Sequence, residues 1–229
     1  MGRFFLLVVA SIGPGLLWLW YFYRQDRSEP EPVKLVLKVF FVGLLLVIPA
    51  GMIEQFWQQT ITNALRTNNW INFLVIAFLV VSLVEEGLKS FFLWWLMGKN
   101  SELDEPVDGV IYGVTIGLGF ASLENLLWAG VFGFGVAALR AVVTTLAHAS
   151  FSGWMGYYLS NYKLAHQKSP MLLWYGFLVA FLTHGLYDFL LFLRNSFASL
   201  LAFLLVTILI YLLYRVIQIQ QREARVRLG

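Results

Sequence analysis

Seven runs of about 20 apolar residues, roughly 4–23, 35–53, 71–97, 108–131, 139–160, 171–193 and 197–216, constrain this chain more than any other feature. A run of that length crosses the hydrocarbon of a bilayer as an α-helix, and in lipid the backbone must satisfy its own hydrogen bonds within each segment. Composition agrees, since 59% of the 229 residues are hydrophobic and only 13% are charged, about half the charged share of a soluble domain. Mean hydropathy is +0.73. The expected fold is all-α: a polytopic membrane helical bundle of about seven transmembrane helices. It forms a single domain over 1–229, with no room for a sizeable soluble unit.

The first run reads as a retained transmembrane helix rather than a cleaved signal. One Arg precedes it, no small-residue cleavage site follows it, and further spans come after. The second is expected to kink or close early at Pro49–Gly51, and the third is long enough to tilt or project from the bilayer. The chain contains no Cys, which excludes disulfides, thiolate nucleophiles and Cys-based metal sites. Its net charge of +3 is small, and its basic residues lie mainly in loops and tail, a pattern of topology rather than nucleic-acid binding. Lys89 aside, eleven Lys and Arg residues sort to one side of the spans, among them Arg24, Arg27, Lys34, Lys38, Lys163 and Arg215. Only Arg3, Arg66, Arg140 and Arg194 fall on the other. By the positive-inside rule the N-terminus lies outside the plasma membrane and the C-terminus in the cytoplasm, with 218–229 a basic cytoplasmic tail.

Against this background "EEGLK" stands out, because it puts Glu85, Glu86 and Lys89 inside the third run. Each charge at a bilayer centre costs about 2.5–3.5 kcal/mol on insertion scales. Four more ionisable residues lie within spans: Glu124 in "FASLE", His148 in "TLAHASF", and His184 and Asp188 in "HGLYD". At 1.5 Å per residue, Glu85 lies about 21 Å from the outer end of its helix, and Glu124 and Asp188 about 7–9 Å outward of their midpoints. His148 and His184 sit close to theirs. Four helices of the motif-bearing core, 71–193, thus place polar groups in one slab between midplane and outer leaflet. Helical phase agrees, since Glu85 and Lys89, Phe120 and Glu124, and His184 and Asp188 are each four apart. Gly113, Gly117 and Ala121, and likewise Thr145, His148, Ser152 and Gly156, form small faces that let helices approach. Four carboxylates beside one Lys and two imidazoles must share protons, which is the equipment of general acid–base catalysis.

Each residue alone also has a structural reading: an ion pair, an interior histidine, a packing hydrogen bond. Glu54, at a span end, reads as interfacial, Asp108 and Tyr112 as cap residues, and His166 as a loop residue. Depth is what groups the seven. Two other functions stay open on the residues alone. One is a proton-coupled transporter, although the inverted repeats of carriers are not visible. The other is a non-catalytic membrane scaffold or immunity protein.

Taken in order, E-E-x-x-K, F-x-x-x-E, a lone His and H-x-x-x-D resemble the PrsW family of bacterial intramembrane proteases. That family is related to the prenyl-protein endopeptidases and to bacteriocin-immunity homologues. The resemblance covers about residues 80–190. It implies peptide-bond hydrolysis in or near the bilayer, with first-site cleavage of a single-pass anti-sigma factor on the extracytoplasmic side as the family's characterised activity. Carried over, Glu85 and Glu86 are the paired glutamates, Lys89 the lysine, Glu124 the third carboxylate, and His184 with Asp188 the final pair. The prenyl endopeptidases have His where Glu124 stands and Asn where Asp188 stands, so their oxyanion arrangement transfers only loosely. The expected mechanism has Glu85 or Glu86, helped by His148 or Glu124, deprotonate a water, while His184 and Asp188 serve the oxyanion and leaving amine. No cofactor is required by this scheme. A zinc ion on His148, His184 and Glu124 is the competing expectation, without an H-E-x-x-H pattern to support it.

Overall fold

The computed structural model describes residues 2–26 and 29–228, and every regular element among them is helical. Helix α1 spans Gly2–Tyr23, α2 Val33–Gln55 and the short α3 Gln58–Thr67. The third long helix is composite: α4 (Trp70–Val75), a π-helical segment (Ile76–Ser82) and α5 (Leu83–Met97) succeed one another without a break. Helices α6 (Pro106–Phe132), α7 (Phe134–Leu164), α8 (Met171–Phe192) and α9 (Ser196–Leu228) complete the bundle. Arg27, one of the eleven basic residues sorted to one side of the spans, lies outside the described residues, as does Gly229 at the end of the tail.

Among the described residues, six helices are both long and apolar enough to cross a membrane. α7 has the length, at 31 residues, but buries Thr144, Thr145, His148, Ser150 and Ser152. Its polar face is turned towards its neighbours, so low average hydropathy here marks an interior helix. The expected seven long helices are present. Two boundaries differ from expectation. α2 runs through Pro49 to Gln55, because ending a helix inside lipid would strand backbone groups at greater cost than the one hydrogen bond a proline removes. α9 continues to Leu228, so the basic tail is an extension of the last helix.

α6 is the axis of the bundle, packed by α1, α2 and α7 and buried along most of its length. Glycines make this closeness feasible. A β-carbon on Gly109, Gly113 or Gly117 would run into the backbone carbonyl of Gly156, Ser152 or His148 on α7. On the other side, Gly43 of α2 meets the Ile116 carbonyl, and Gly119 meets that of Phe40. In lipid, where apolar surface alone gives helices no reason to associate, backbone approach of this kind is a main source of adhesion.

At one end of the bundle the α1–α2 loop is fastened to α6 and α9. The Tyr23 hydroxyl donates to the Glu31 carbonyl at 3.0 Å, and the Tyr112 hydroxyl donates to the Glu31 carboxylate. Gln221 of α9 donates to Asp26 at 3.1 Å. Asp108 caps α6, accepting from the backbone of Asp104 at 2.9 Å and of Glu105 at 2.6 Å. The capping reading of Asp108 therefore holds, whereas Tyr112 serves the loop. Burial pushes the Glu31 carboxyl up from 4.5 to about 7, against the pull of the Tyr112 hydrogen bond.

Gly113→Leu should force α6 and α7 apart and lower the thermal midpoint in detergent, an overpacking cost of about 1–3 kcal/mol or more. Gly130→Ala, where a β-carbon meets open space, should leave that midpoint in place. The loop gives a second expectation, in pH. A carboxyl raised on folding stabilises fully below its unfolded value and loses that contribution as pH climbs through its folded value. Exchange of the Glu29 and Glu31 amides, corrected for intrinsic rates, should therefore accelerate as pH climbs from about 4.5 to about 7 and level off above it, and Glu31→Gln should abolish the acceleration.

Candidate active site

The π-helical segment aims α5 at α8. Its wider turn presses Phe78 into the space left by Gly185, where a β-carbon would collide with the ring. The Ser82 hydroxyl then crosses to the Phe181 carbonyl at 2.6 Å. One turn later Glu85 and Glu86 arrive opposite His184.

Lys89 stands at the centre of a buried polar network, itself 1% exposed. Its ammonium lies 2.5 Å from Glu86 Oε1 and 3.7 Å from Glu85 Oε2. It also reaches His148 Nδ1 at 3.0 Å and sits 4.4 Å from the centre of the Phe120 ring. The i,i+4 spacing points to Glu85 as its partner, but the shorter contact is the i,i+3 pair with Glu86. On one side the network continues from His148 Nε2 to Glu124 Oε2 at 2.9 Å. Glu124 Oε1 accepts from Arg140 Nη2 at 2.5 Å and from Trp128 Nε1 at 3.0 Å. Arg140 Nε donates to Asn125 at 3.1 Å, and Asn125 donates to Thr145 at 2.9 Å. On the other side, His184 Nδ1 lies 2.7 Å from Glu86 Oε1 and its Nε2 3.3 Å from Asp188 Oδ2. The His184 ring lies flat on Phe151, centroids 5.0 Å apart.

A cavity of about 470 Å³ opens beside this network. Glu54, Glu85, Glu124, Arg140, His148, His184 and Asp188 line it, among apolar side chains from α2, α6 and α8. Glu86 and Lys89 do not; they stand behind the wall. Glu85 Oε2 has no hydrogen-bond partner, lying 3.8 Å from His148 Nδ1 and 4.0 Å from His184 Nε2. All seven residues singled out from the sequence thus come together.

Two charged residues of the wall are not among those seven. Glu54 reads from sequence as interfacial because it stands at the end of the 35–53 run; in the structure it lies one turn beyond Ala50 on α2, and both line the cavity. Arg140 reads from sequence as an outer topological charge. The signal that could have found it is its spacing, since Arg140, Thr144 and His148 recur at every fourth position of α7. With these two, five carboxylates meet two permanent cations inside a low-dielectric bundle. Neutrality then requires further protons or cations among them. The amphipathic α3 also goes unseen in the sequence: its Ile61 borders the cavity and Ala64 is buried, while most of its other described residues face outward.

The network also contains a set of metal donors. One ligand atom each from Glu85, Glu86, His148 and His184 lie within 4.8 Å of one another, and Oε2 of both glutamates has no hydrogen-bond partner. Two imidazoles and two carboxylates fit a zinc-type ion in number and kind. This set differs from the triplet expected from sequence, because Glu124 turns towards Arg140 and both paired glutamates take part. Three of the four donors, Glu85, Glu86 and His148, hold the Lys89 ammonium in this arrangement.

Residues 31–214 match the PrsW-protease family, described as "PrsW family intramembrane metalloprotease". The chain is 38% identical over 187 residues to "Protease PrsW" of Geobacillus kaustophilus, an overlap covering 82% of this chain and 80% of that protein. It is 36% identical over 190 residues to "Protease PrsW" of Bacillus subtilis, covering 82% and 83%. With the protein of that name from Clostridioides difficile it shares 31% over 211 residues, covering 90% and 86%. No solved structure matches. These matches favour proteolysis over the carrier and scaffold readings. The matched segment contains the whole buried network, and the chain belongs to the PrsW family of intramembrane proteases.

Proposed function

We propose that Glu85 is the general base that activates water for hydrolysis of a peptide bond in a single-pass membrane protein of the anti-sigma-factor type. The observation carrying this assignment is that Glu85 lines the cavity while its Oε2 has no hydrogen-bond partner. Its neighbour Glu86, about 100° further round the helix, is instead fully buried and tied to Lys89 and His184. A water in the cavity would give its proton to the Glu85 carboxylate as its oxygen attacks the scissile carbonyl carbon. His184, on the α8 side and held by Asp188, would donate to the carbonyl oxygen on which negative charge grows. Collapse of the tetrahedral intermediate breaks the C–N bond, and the proton held by Glu85 passes to the departing amine. Glu86 and Lys89 have a supporting part: they fix His184 and His148 from behind.

Glu85, Glu86, His148 and His184 are the residues that would hold a zinc-type ion, which when bound would polarise the carbonyl and lower the pKa of water. Placement in the outer half of the plasma membrane rests on the distribution of basic residues, with the N-terminus outside and the C-terminus cytoplasmic. α3 would then lie along the outer surface, bordering the cavity.

The test is cleavage of a single-pass, anti-sigma-type substrate by the purified protein in liposomes. Glu85→Gln should lower kcat about 10²–10⁴-fold with the unfolding midpoint retained. Glu86→Gln should lower that midpoint as well, because it breaks a buried pair worth about 3–5 kcal/mol when one partner is removed. Wild-type cleavage by the Glu85→Gln protein would sink the assignment. Metal content, measured by mass spectrometry before and after chelation, separates the two chemistries: loss of cleavage restored by zinc makes the four donors ligands, and cleavage unaffected by chelation leaves the work to the side chains alone.

A further inference from the structure

Arg140 belongs to none of the motifs, yet its guanidinium is held from three sides on the cavity wall. We propose that Arg140 is a positioning residue, which fixes Glu124 and, through Glu124, the orientation and the Nε2 hydrogen bond of His148.

Two edges of the guanidinium are committed to two consecutive residues of α6. Nη2 lies on Glu124 Oε1 at 2.5 Å and Nε on Asn125 Oδ1 at 3.1 Å, while the Trp128 ring lies 4.9 Å from its carbon. A planar fork held at two edges and covered on one face has little freedom left. Asn125 is in turn anchored to Thr145, both of them fully buried. Glu124 Oε1 therefore receives two donors, from Arg140 and Trp128, which leaves Oε2 to accept from His148 Nε2 at 2.9 Å.

The consequence for His148 is a matter of donors and acceptors. A carboxylate can only accept, so Nε2 must carry the proton. An ammonium can only donate, so Nδ1, 3.0 Å from Lys89, must present its lone pair. The opposite tautomer would set an N–H against the ammonium and a lone pair against the carboxylate. Lys89 and Glu124 together admit this one tautomer; Arg140, by turning Glu124 Oε2 towards Nε2, holds the ring two helical turns away in place, 3.8 Å from Oε2 of Glu85, the residue assigned as the base. Lys at position 140 could reach one of the two α6 partners but not both.

The kinetic part of the test rests on the proteolytic reading; the spectroscopic part does not. Full-length protein in liposomes is assayed as wild type, Arg140→Gln, Arg140→Lys, Glu124→Gln and the Glu124→Gln/Arg140→Gln double variant. Arg140→Gln should lower kcat about 10- to 100-fold with KM little changed, and Arg140→Lys should recover part of the loss. Because Arg140 acts through Glu124, the double variant should be no slower than Glu124→Gln alone. That comparison stands even if the Arg140→Gln single variant fails to fold, since the double variant removes both charges together. In ¹⁵N-histidine spectra, with His148 assigned from His148→Asn, wild type should show a protonated Nε2 and bare Nδ1. Lys89 keeps Nδ1 bare in every variant, whereas Arg140→Gln and Arg140→Lys should shift the Nε2–H resonance as Glu124 Oε2 leaves its place. Wild-type kcat in Arg140→Gln, multiplied losses in the double variant, or an unaltered His148 Nε2–H resonance in both single Arg140 variants would each overturn the proposal. If wild type cleaves no substrate, the proteolytic reading fails while the nitrogen spectra still decide this one.

Discussion

The ammonium of Lys89 lets a group of carboxylates exist inside an apolar bundle. Taking two ions out of water costs several kcal/mol each, and their attraction repays this only when the geometry is close and the remaining donors are used. Lys89 meets that condition with contacts to Glu86, Glu85 and His148 and a ring beneath it. From it the network runs both ways, through His184 to Asp188 and through Glu124 to Arg140. Remove the ammonium and the carboxylates lose their common counter-ion; remove the carboxylates and a Lys is stranded in lipid.

Such a network demands that four helices come close enough for short side chains to touch, and the backbone supplies this. Glycines along α6 bring α7 within carbonyl contact, so that Glu124 on one helix and His148 on the other meet directly. Consecutive glutamates then fall to different tasks for a geometric reason. Successive residues of a helix point about 100° apart, so when Glu86 faces inward to Lys89 and His184, Glu85 is left facing the cavity.

Much of this is legible in the sequence because lipid punishes ambiguity. A backbone that must satisfy itself leaves helices as the solution for long apolar runs, and a Glu or Lys within such a run is conspicuous by its cost. Glu85, Glu86, Lys89, Glu124, His148, His184 and Asp188 announce themselves in this way. Arg140 does not, because a cation near a span end has an ordinary explanation as a topological anchor, and its partner lies on the preceding helix. Glu54 is hidden for a similar reason, since a carboxylate just past the end of an apolar run has an ordinary explanation at the interface. The ten residues of α3 are too short for a periodic signal to rise above their polarity. Which glutamate faces the cavity is not legible either, since the phase of α5 is set by the turn before it.

That turn, the π-helical segment at Ile76–Ser82, has a consequence for how the protein can change over time. A π turn accommodates one residue more than an α-helix would, so it behaves as an absorbed insertion whose slack is spent in a rotation of about 100°. The half of the span before it and the half after it need not keep one common periodicity. Sequence on the lipid-facing side of α4 is free to drift or shift by a residue while the segment takes up the difference. Loss of a single residue from 76–82, by contrast, would restore a regular helix and turn Glu85, Glu86 and Lys89 together away from their partners, with no change in any side chain of the buried network.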